Sequence, residues 1–434
     1  MKNLIAGCLF TIISTGVYAQ EPSMPKLAIS TTDYAVNVSV NPVASIPATA
    51  IRINLAGQPA PDPQDGDALR TKNISRTFPV DGFDKISLEN QFGSITVKTW
   101  EKKEVKIDIA INAYSSNDKE AQNLIDQVNI EAGKSGDQVS CKTIIEGGQW
   151  GGRNKRREIK VNYVVYMPAS NPLSLSQKFG NVNIGSFSGP LNAKVQYGDF
   201  NAVNLSGVNN DITVQYGGTN IQDMNRATVK QQYGSGLTIG SVANLELTAQ
   251  YTGVNITSIR GDAQIKQQYG SGLRIGTVNN LTLDVQYANA NIATVKGAAL
   301  IKQQYNSLTI GSVGKLNLNS QYTGITIGTL RGDGNLKMSY NDFRVNEIGS
   351  GCKNLNINAA YVDVDVAFAG NYHGDFSVRK SYGSFKYSGN VRTTTSGEND
   401  EGRGSSTKSY FGKIGNGGAA TVQVQSAYGS VNFK

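Results

Sequence analysis

One short phrase, Gln-Tyr-Gly or a close variant, recurs through more than half of this chain. Its aromatic falls at Phe179, Tyr197, Tyr216, Tyr233, Tyr251, Tyr269, Tyr287, Tyr305, Tyr322, Tyr340, Tyr361, Tyr382, Tyr410 and Tyr428. Most steps are 17 to 19 residues, with longer ones (21, 21 and 28) late in the series. A fixed short period excludes most globular folds, because each unit is too small to bury its own core and must share one with its neighbours.

Relative to each tyrosine, apolar residues stand at −6, −4 and −2, as in Leu245, Leu247 and Ala249 before Tyr251. They return at +3, +5 and +8, as in Val254, Ile256 and Ile259. Alternation with period two marks strands, and the Gly, Asn and Asp between them mark turns. Extending the parity of the first strand predicts that each tyrosine points inward with the leucines. The glutamine at −1 then points outward, and so does the residue at −3. The expected fold is all-β: a parallel β-solenoid of ~18-residue two-strand coils. About fourteen such coils would stack over roughly 65 Å. The final strand, Ser430 to Lys434, is expected to close or cap the stack.

A superperiod overlies the repeat. Lys-Gln-Gln-Tyr at 230–233, 266–269 and 302–305 alternates with Gln-Tyr-Thr or Gln-Tyr-Ala. Position −3 is basic in every second unit: Lys194, Lys230, Lys266, Lys302, Lys337 and Arg379. Coils of 36 residues would oppose these cations directly, which is unfavourable. Coils of 18 residues interleave them with Thr213, Thr248, Asp284, Asn319 and Asn358, ~9.6 Å apart and about one Debye length at physiological salt. The shorter coil is therefore favoured.

The flanking segments differ. Residues 1–19 read as a secretory leader: Lys2, an apolar run from Leu4 to Val17, then Ala19 before Gln20. Ile5-Ala6-Gly7-Cys8 spells a lipoprotein box, but most of the apolar run follows Cys8, which favours cleavage after Ala19. The formal net charge of +8 becomes +7 once Lys2 is removed. No later run is long and apolar enough for a transmembrane helix. Residues 20–71 hold seven of the 11 prolines and read as an extended arm or linker. After Pro190 there is none, as befits strands that need every backbone donor. Residues 72–172 form an N-terminal β-rich part with an inserted helix at about 117–128, opened by Asn117 and Glu120 in the manner of a capping box. Residues 173–434 hold the regular repeats, with a mobile polar loop at about 393–408.

The ordered pattern from Phe78 to Trp100 (Phe-x-Val-x-Gly-x-x-x-Ile-x-Leu-x-Asn-x-x-Gly-x-Ile-x-Val-x-x-Trp), the capped helix after it, Val-Tyr-Met-Pro at 165–168 and the Gly-punctuated repeats carry a resemblance. Together they resemble a secreted Bacteroidota β-solenoid family of unknown function, labelled adhesins of the head GIN type, over about residues 72 to 434. The resemblance implies export and a β-helical fold, and it supplies no functional residues.

Chemistry is sparse. The turns are too short to assemble a cleft, so a polysaccharide-acting β-helix enzyme is the alternative rather than the expectation; no catalytic, cofactor or metal residues are assigned. His373, the single histidine, reads as a surface residue, and Asp363, Asp365 and Asp375 as solvated acids. Cys141 and Cys352 stand in unrelated contexts and read as separate thiols. Arg260-Gly261-Asp262 and Arg331-Gly332-Asp333 occupy the same turn slot and read as turn chemistry. The basic run Arg153–Arg157 reads as a solvated hairpin tip. Threonines 309, 326 and 329 alternate too irregularly for an ice-binding face. An outer-membrane-associated component is a further alternative, but the strands are short for a barrel. The expectation is an exported, non-enzymatic, adhesin-like or envelope-scaffold protein located in the periplasm, on the cell surface or outside the cell. Its partner is an anionic glycan or an envelope protein rather than nucleic acid, and the basic row from Lys194 to Arg379 is the candidate ligand-facing surface.

Overall fold

The computed structural model describes residues 68–147, 157–397 and 407–434, the side chains of 394–397 excepted. These residues belong to one compact unit, Ile51–Lys434. The leader, the arm to residue 67, the basic tip through residue 156 and the centre of the polar loop, 398–406, lie outside the described residues.

The fold is a parallel β-solenoid of about 11 turns with ~18-residue coils, 73% strand, with one helix. In the middle of the array the two strands of a coil run together as one bent strand of 14 or 15 residues, such as Leu237–Gln250 and Val254–Gln268. Each pairs in parallel with the next, and the pairing shifts register only at the bend, between Val242 and Leu245 for example. The apolar positions form the core as their spacing requires: Leu245, Leu247, Ala249, Val254, Ile256 and Ile259 are all buried.

The tyrosines are not inside. Each ladder aromatic from Phe92 to Tyr428 has positive φ, +53° at Tyr251 and +56° at Tyr197, in the left-handed region. A residue in that conformation leaves the strand, so the period-two parity that would have turned its side chain inward stops one residue earlier. The ring swings out at the corner of the coil and remains 49% exposed at Tyr251. Non-glycine residues occupy this region at a cost of about 1–2 kcal/mol. Here each ring stacks on those of the coils above and below, with centroids 4.9 Å apart for Tyr233 and Tyr251 and 5.2 Å for Tyr251 and Tyr269.

The glycine that follows has its own cause. A Cβ on Gly198 or Gly217 would lie 2.0 or 1.9 Å from the carbonyl oxygen of the preceding coil's glycine.

The inner −2 position explains the superperiod. Gln231, Gln267 and Gln303, the first glutamine of each Lys-Gln-Gln-Tyr, are fully buried. The Gln267 amide donates to the carbonyl of Thr252 at 3.0 Å, and that of Gln303 to Ala288 at 2.8 Å. Gln231 donates to Gly217 in the same way. The accepting carbonyl always belongs to the residue after the tyrosine of the preceding coil. A buried carbonyl at the corner is thereby paired from the neighbouring unit on alternate coils.

Both ends depart from simple stacking. At the N-terminal end, Lys85–Gln91 lies in parallel between Gln138–Ile145 and Leu173–Lys178. Ile95–Trp100 likewise lies between Arg157–Pro168 and Val182–Phe187. Ala68–Pro79, Glu104–Ser115 and Arg157–Pro168 then pair antiparallel. The helix Asp118–Asp126 is capped by the Asn117 side chain, which accepts from the Glu120 N–H at 2.9 Å. It buries Ala121, Leu124 and Ile125.

At the C-terminal end the last strands do not cap the stack, as the repeat order had suggested; they enter it. Thr421–Ala427 pairs in parallel with Asn354–Phe368 on one side and Gly374–Ser381 on the other. Val431–Phe433 does the same between Asn354–Phe368 and Phe385–Tyr387. Tyr428 therefore stacks between Tyr361 (4.7 Å) and Tyr382 (4.8 Å). The outermost strands here are Thr407–Ile414 and Val391–Gly397, both antiparallel. Tyr410 lies in the first of these and packs on Phe385 instead of joining the ladder. Phe92 opens the ladder by stacking on Phe179 at 4.9 Å.

Candidate binding surfaces

Three parallel rows of side chains run along the solenoid near the tyrosine corner. The first is the predicted basic row. Strand pairing aligns Lys194, Thr213, Lys230, Thr248, Lys266, Asp284, Lys302, Asn319 and Lys337 in one line across successive coils. Asn358 follows, then Gln425 of the inserted strand, and only then Arg379. The six cations Lys194, Lys230, Lys266, Lys302, Lys337 and Arg379 are all exposed.

The second row is the glutamine at −1. Gln196 donates to Gln215 and Gln215 to Gln232, both at 2.8 Å, and the chain continues through Gln250 and Gln268 to Gln286. These half-buried amides satisfy one another along the stack, so they rigidify the corner more than they offer free donors.

The third is the tyrosine ladder. Neighbouring rings are nearly parallel, with interplanar angles of 3° to 11°. Each face is covered by the next ring, so the ladder presents ring edges and hydroxyls along its length. A ligand that stacks on an open aromatic face finds none within the series.

Beyond the corner, a fourth row escaped the sequence reading. Asn183, Asn201 and Asn220 align through the parallel pairing, and the line runs on through Thr238, Asn255, Arg274 and Asn291 to Thr309 and Thr326. Beside it lies a row whose side-chain oxygens accept from the next coil's backbone: Asn181 from Asp199, Asp199 from Gly218, Asn289 from Ser307. Depressions of about 440, 570 and 630 Å³ lie on these two rows. The two larger ones share Ser307 and Thr309. The predicted basic row lines none of them. The available signal was the residue just before the second buried residue of the strand after the tyrosine, which is Asn183, Asn201, Asn220, Asn255 and Asn291 in five units and which the apolar pattern overshadowed.

The remaining sequence candidates are absorbed by structure. Arg260 pairs with Asp223 at 2.8 Å, and Asp262 accepts from Asn280 at 2.9 Å. Arg331 donates to the carbonyls of Val295 and Lys296. Asp333 accepts from the backbone N–H groups of Lys353 and Asn354. The Asn354 N–H, followed by that of Lys353, holds its carboxyl below the usual range. Both Arg-Gly-Asp turns are thus tied to neighbouring coils. Asp363 accepts from the Ser430 N–H at 2.8 Å, and Asp365 from Asn432 (3.2 Å) and Lys434 (2.7 Å). These acids clamp the inserted strand. His373 is exposed, and its Nδ1 accepts from the Asn416 N–H at 3.1 Å. Cys141 and Cys352 are separate, buried thiols; burial raises Cys352 to about 11. Among the described residues no group of three His, Cys, Asp or Glu side chains is placed to hold a metal ion. No helix there is long and apolar enough to cross a membrane.

No family model matches the chain, and no curated protein does. Among solved structures, it is similar to a "putative cell adhesion protein" from Clostridium sporogenes, at 10% identity and a TM-score of 0.18, covering 84% of this chain and 99% of that one. A "putative adhesin" from Bacteroides fragilis is 13% identical, with a TM-score of 0.23, over 62% of this chain and 97% of that one. A "putative lipid binding protein" from Parabacteroides distasonis is 10% identical, with a TM-score of 0.16, over 83% and 96%.

Proposed function

We propose that this chain is an exported, non-enzymatic, adhesin-like or envelope-scaffold protein that binds an extended acidic glycan lengthwise along its basic row. The observation that supports this reading is the register, which sets an exposed lysine on alternate coils from Lys194 to Lys337 along one line. Successive cations are ~9.6 Å apart, close to a Debye length at physiological salt. Each therefore acts almost independently, and the row favours a polyanion whose charges recur on a similar spacing over a compact acidic ligand. The leader-like N-terminus and the resemblance to secreted solenoids lean the same way.

The test replaces Lys194, Lys230, Lys266, Lys302 and Lys337 together by threonine, the residue two intervening coils already carry. Exposed charge contacts contribute about 0.2–1 kcal/mol each. The quintuple variant should lose about 1–5 kcal/mol, at least fivefold in Kd, for an acidic polysaccharide at low salt. Binding by the parent protein should fall as salt is raised. Salt-independent binding, or equal binding by the variant, refutes the basic row.

A second reading is favoured by the depression of about 570 Å³, whose polar lining is Asn, Ser and Thr with Arg274 as its one charged residue: a glycan held chiefly through its hydroxyls. Its signature is binding that survives both salt and the lysine substitutions and is lost on replacing Asn255 and Asn291 by leucine.

A further inference from the structure

The inserted C-terminal strand implies an acceptor slot. Throughout the array, each coil is laid on the one made immediately before it. Here the chain leaves Asn354–Phe368, passes one coil position, and forms Gly374–Ser381 and Phe385–Tyr387 before returning to fill the gap. Residues 421–433 thus separate two parallel edges, and without them each edge would present unpaired backbone groups. Exposed edges of this kind pair with whatever strand of suitable sequence meets them.

The slot is specific. Phe376, Val422, Val424, Val431 and Phe433 are buried across it. Tyr428 completes an aromatic stack interrupted in chain order, and Asp363 and Asp365 take hydrogen bonds from Ser430, Asn432 and Lys434. The segment leading into it is a glycine hinge: Gly415, Gly417 and Gly418 have φ of +59°, +76° and +100°. Two contacts pin that hinge, from the Asn416 N–H to His373 and from the Gly418 N–H to Asp375.

We propose that the slot between Asn354–Phe368 and Gly374–Ser381 also accepts the C-terminal strand of a second copy of this chain, giving a reciprocally strand-exchanged dimer. Every contact the strand makes in its own slot is available in the partner's, because the sequence and the parallel register are the same. Only tethering favours the intramolecular form, through its effective concentration, and the hinge is where the chain changes course in the exchanged form.

The test uses the full chain. Asp363→Cys and Ser430→Cys are placed on separate copies, which are unfolded, mixed, refolded together and oxidised. Exchange yields a covalent heterodimer that is lost as the refolding concentration is lowered. Asn183→Cys mixed with Asn201→Cys, which face each other across ordinary adjacent coils, should yield none. Because the cysteines could disturb folding, unmodified protein and an isotope-labelled copy are also co-refolded and weighed by native mass spectrometry, where mixed dimers are expected. Monomer alone at every concentration overturns the proposal. Equal linking by the control pair does so too, because it would show a generic association.

Discussion

Replacing Tyr251 by glycine and, separately, by alanine isolates the cost of the left-handed corner. Tyr251 has φ of +53° and stacks on Tyr233 and Tyr269 with its side chain about half exposed. Either substitution removes two stacking contacts, about 0.5–1.5 kcal/mol each, and about half the burial of a large side chain, about 1 kcal/mol. Both variants should therefore lose about 2–4 kcal/mol from these sources. Alanine keeps the left-handed penalty, whereas glycine relieves about 1–2 kcal/mol of it. Glycine's greater unfolded-state entropy offsets about 0.5–1 kcal/mol. The glycine variant should accordingly be the more stable of the two, by up to about 1.5 kcal/mol. That is the reverse of the usual order within strands. Solenoids open locally, so the measurement is native-state hydrogen exchange over residues 237–268. Thr248→Gly and Thr248→Ala, in the strand just before, should show the ordinary order, with alanine better protected. If alanine is the better protected at position 251 too, the tyrosine is not held in the left-handed conformation, and the account of the corner is wrong.

Other outcomes follow from the same geometry. Gln267→Ala should cost about 1–3 kcal/mol, because the Thr252 carbonyl loses its buried donor; the extra exchange should appear at the corners around 251–254 and 269–273. Asp365→Ala should speed exchange in 421–434 while leaving 237–321 unchanged, since it releases Asn432 and Lys434 from the end of the inserted strand. Raising the pH should destabilise the protein from about pH 9 towards 11. Cys352 ionises near the ordinary thiol value of 9.0 when unfolded but only at about 11 when folded, so the unfolded state binds fewer protons across that window. The pKa values of Cys141, Tyr163 and Tyr372 are also raised by burial, and they push in the same direction. Thermal unfolding across this range, with and without Cys352→Ser, measures the contribution.

Much of the fold was legible because its signal is repeated. The buried set at −6, −4, −2, +3, +5 and +8 follows from alternation alone, and alternating lysines already discriminated 18-residue from 36-residue coils. The tyrosine's placement was not legible, because parity holds only while the backbone stays extended. A single left-handed residue ends it without changing the pattern on either side. The first glutamine of Lys-Gln-Gln-Tyr was hidden for a related reason: a polar residue at an inner position makes sense only once the unpaired carbonyl of the neighbouring corner is known. A repeat also announces that a unit belongs to the stack, not where it enters, so Tyr428 gave no hint that it precedes Tyr382 in space. As for the candidate surfaces, the basic row could be written from the −3 column, but the grooves on the Asn/Ser/Thr rows exist only after the coils are wound.

The tyrosine ladder also makes the protein an optical object. Thirteen stacking contacts join fourteen rings from Phe92 to Tyr382 without a gap. Twelve of the fourteen rings are phenols, and excitation passing along them would let light absorbed by one tyrosine leave from another. The rings are nearly parallel, so that migration costs little polarisation while the stack is straight and more where it twists. Ultraviolet emission anisotropy then reports the continuity of the column. A leucine at Tyr428 would cut the column between Tyr361 and Tyr382, at a break whose flanking rings are consecutive in the repeat series.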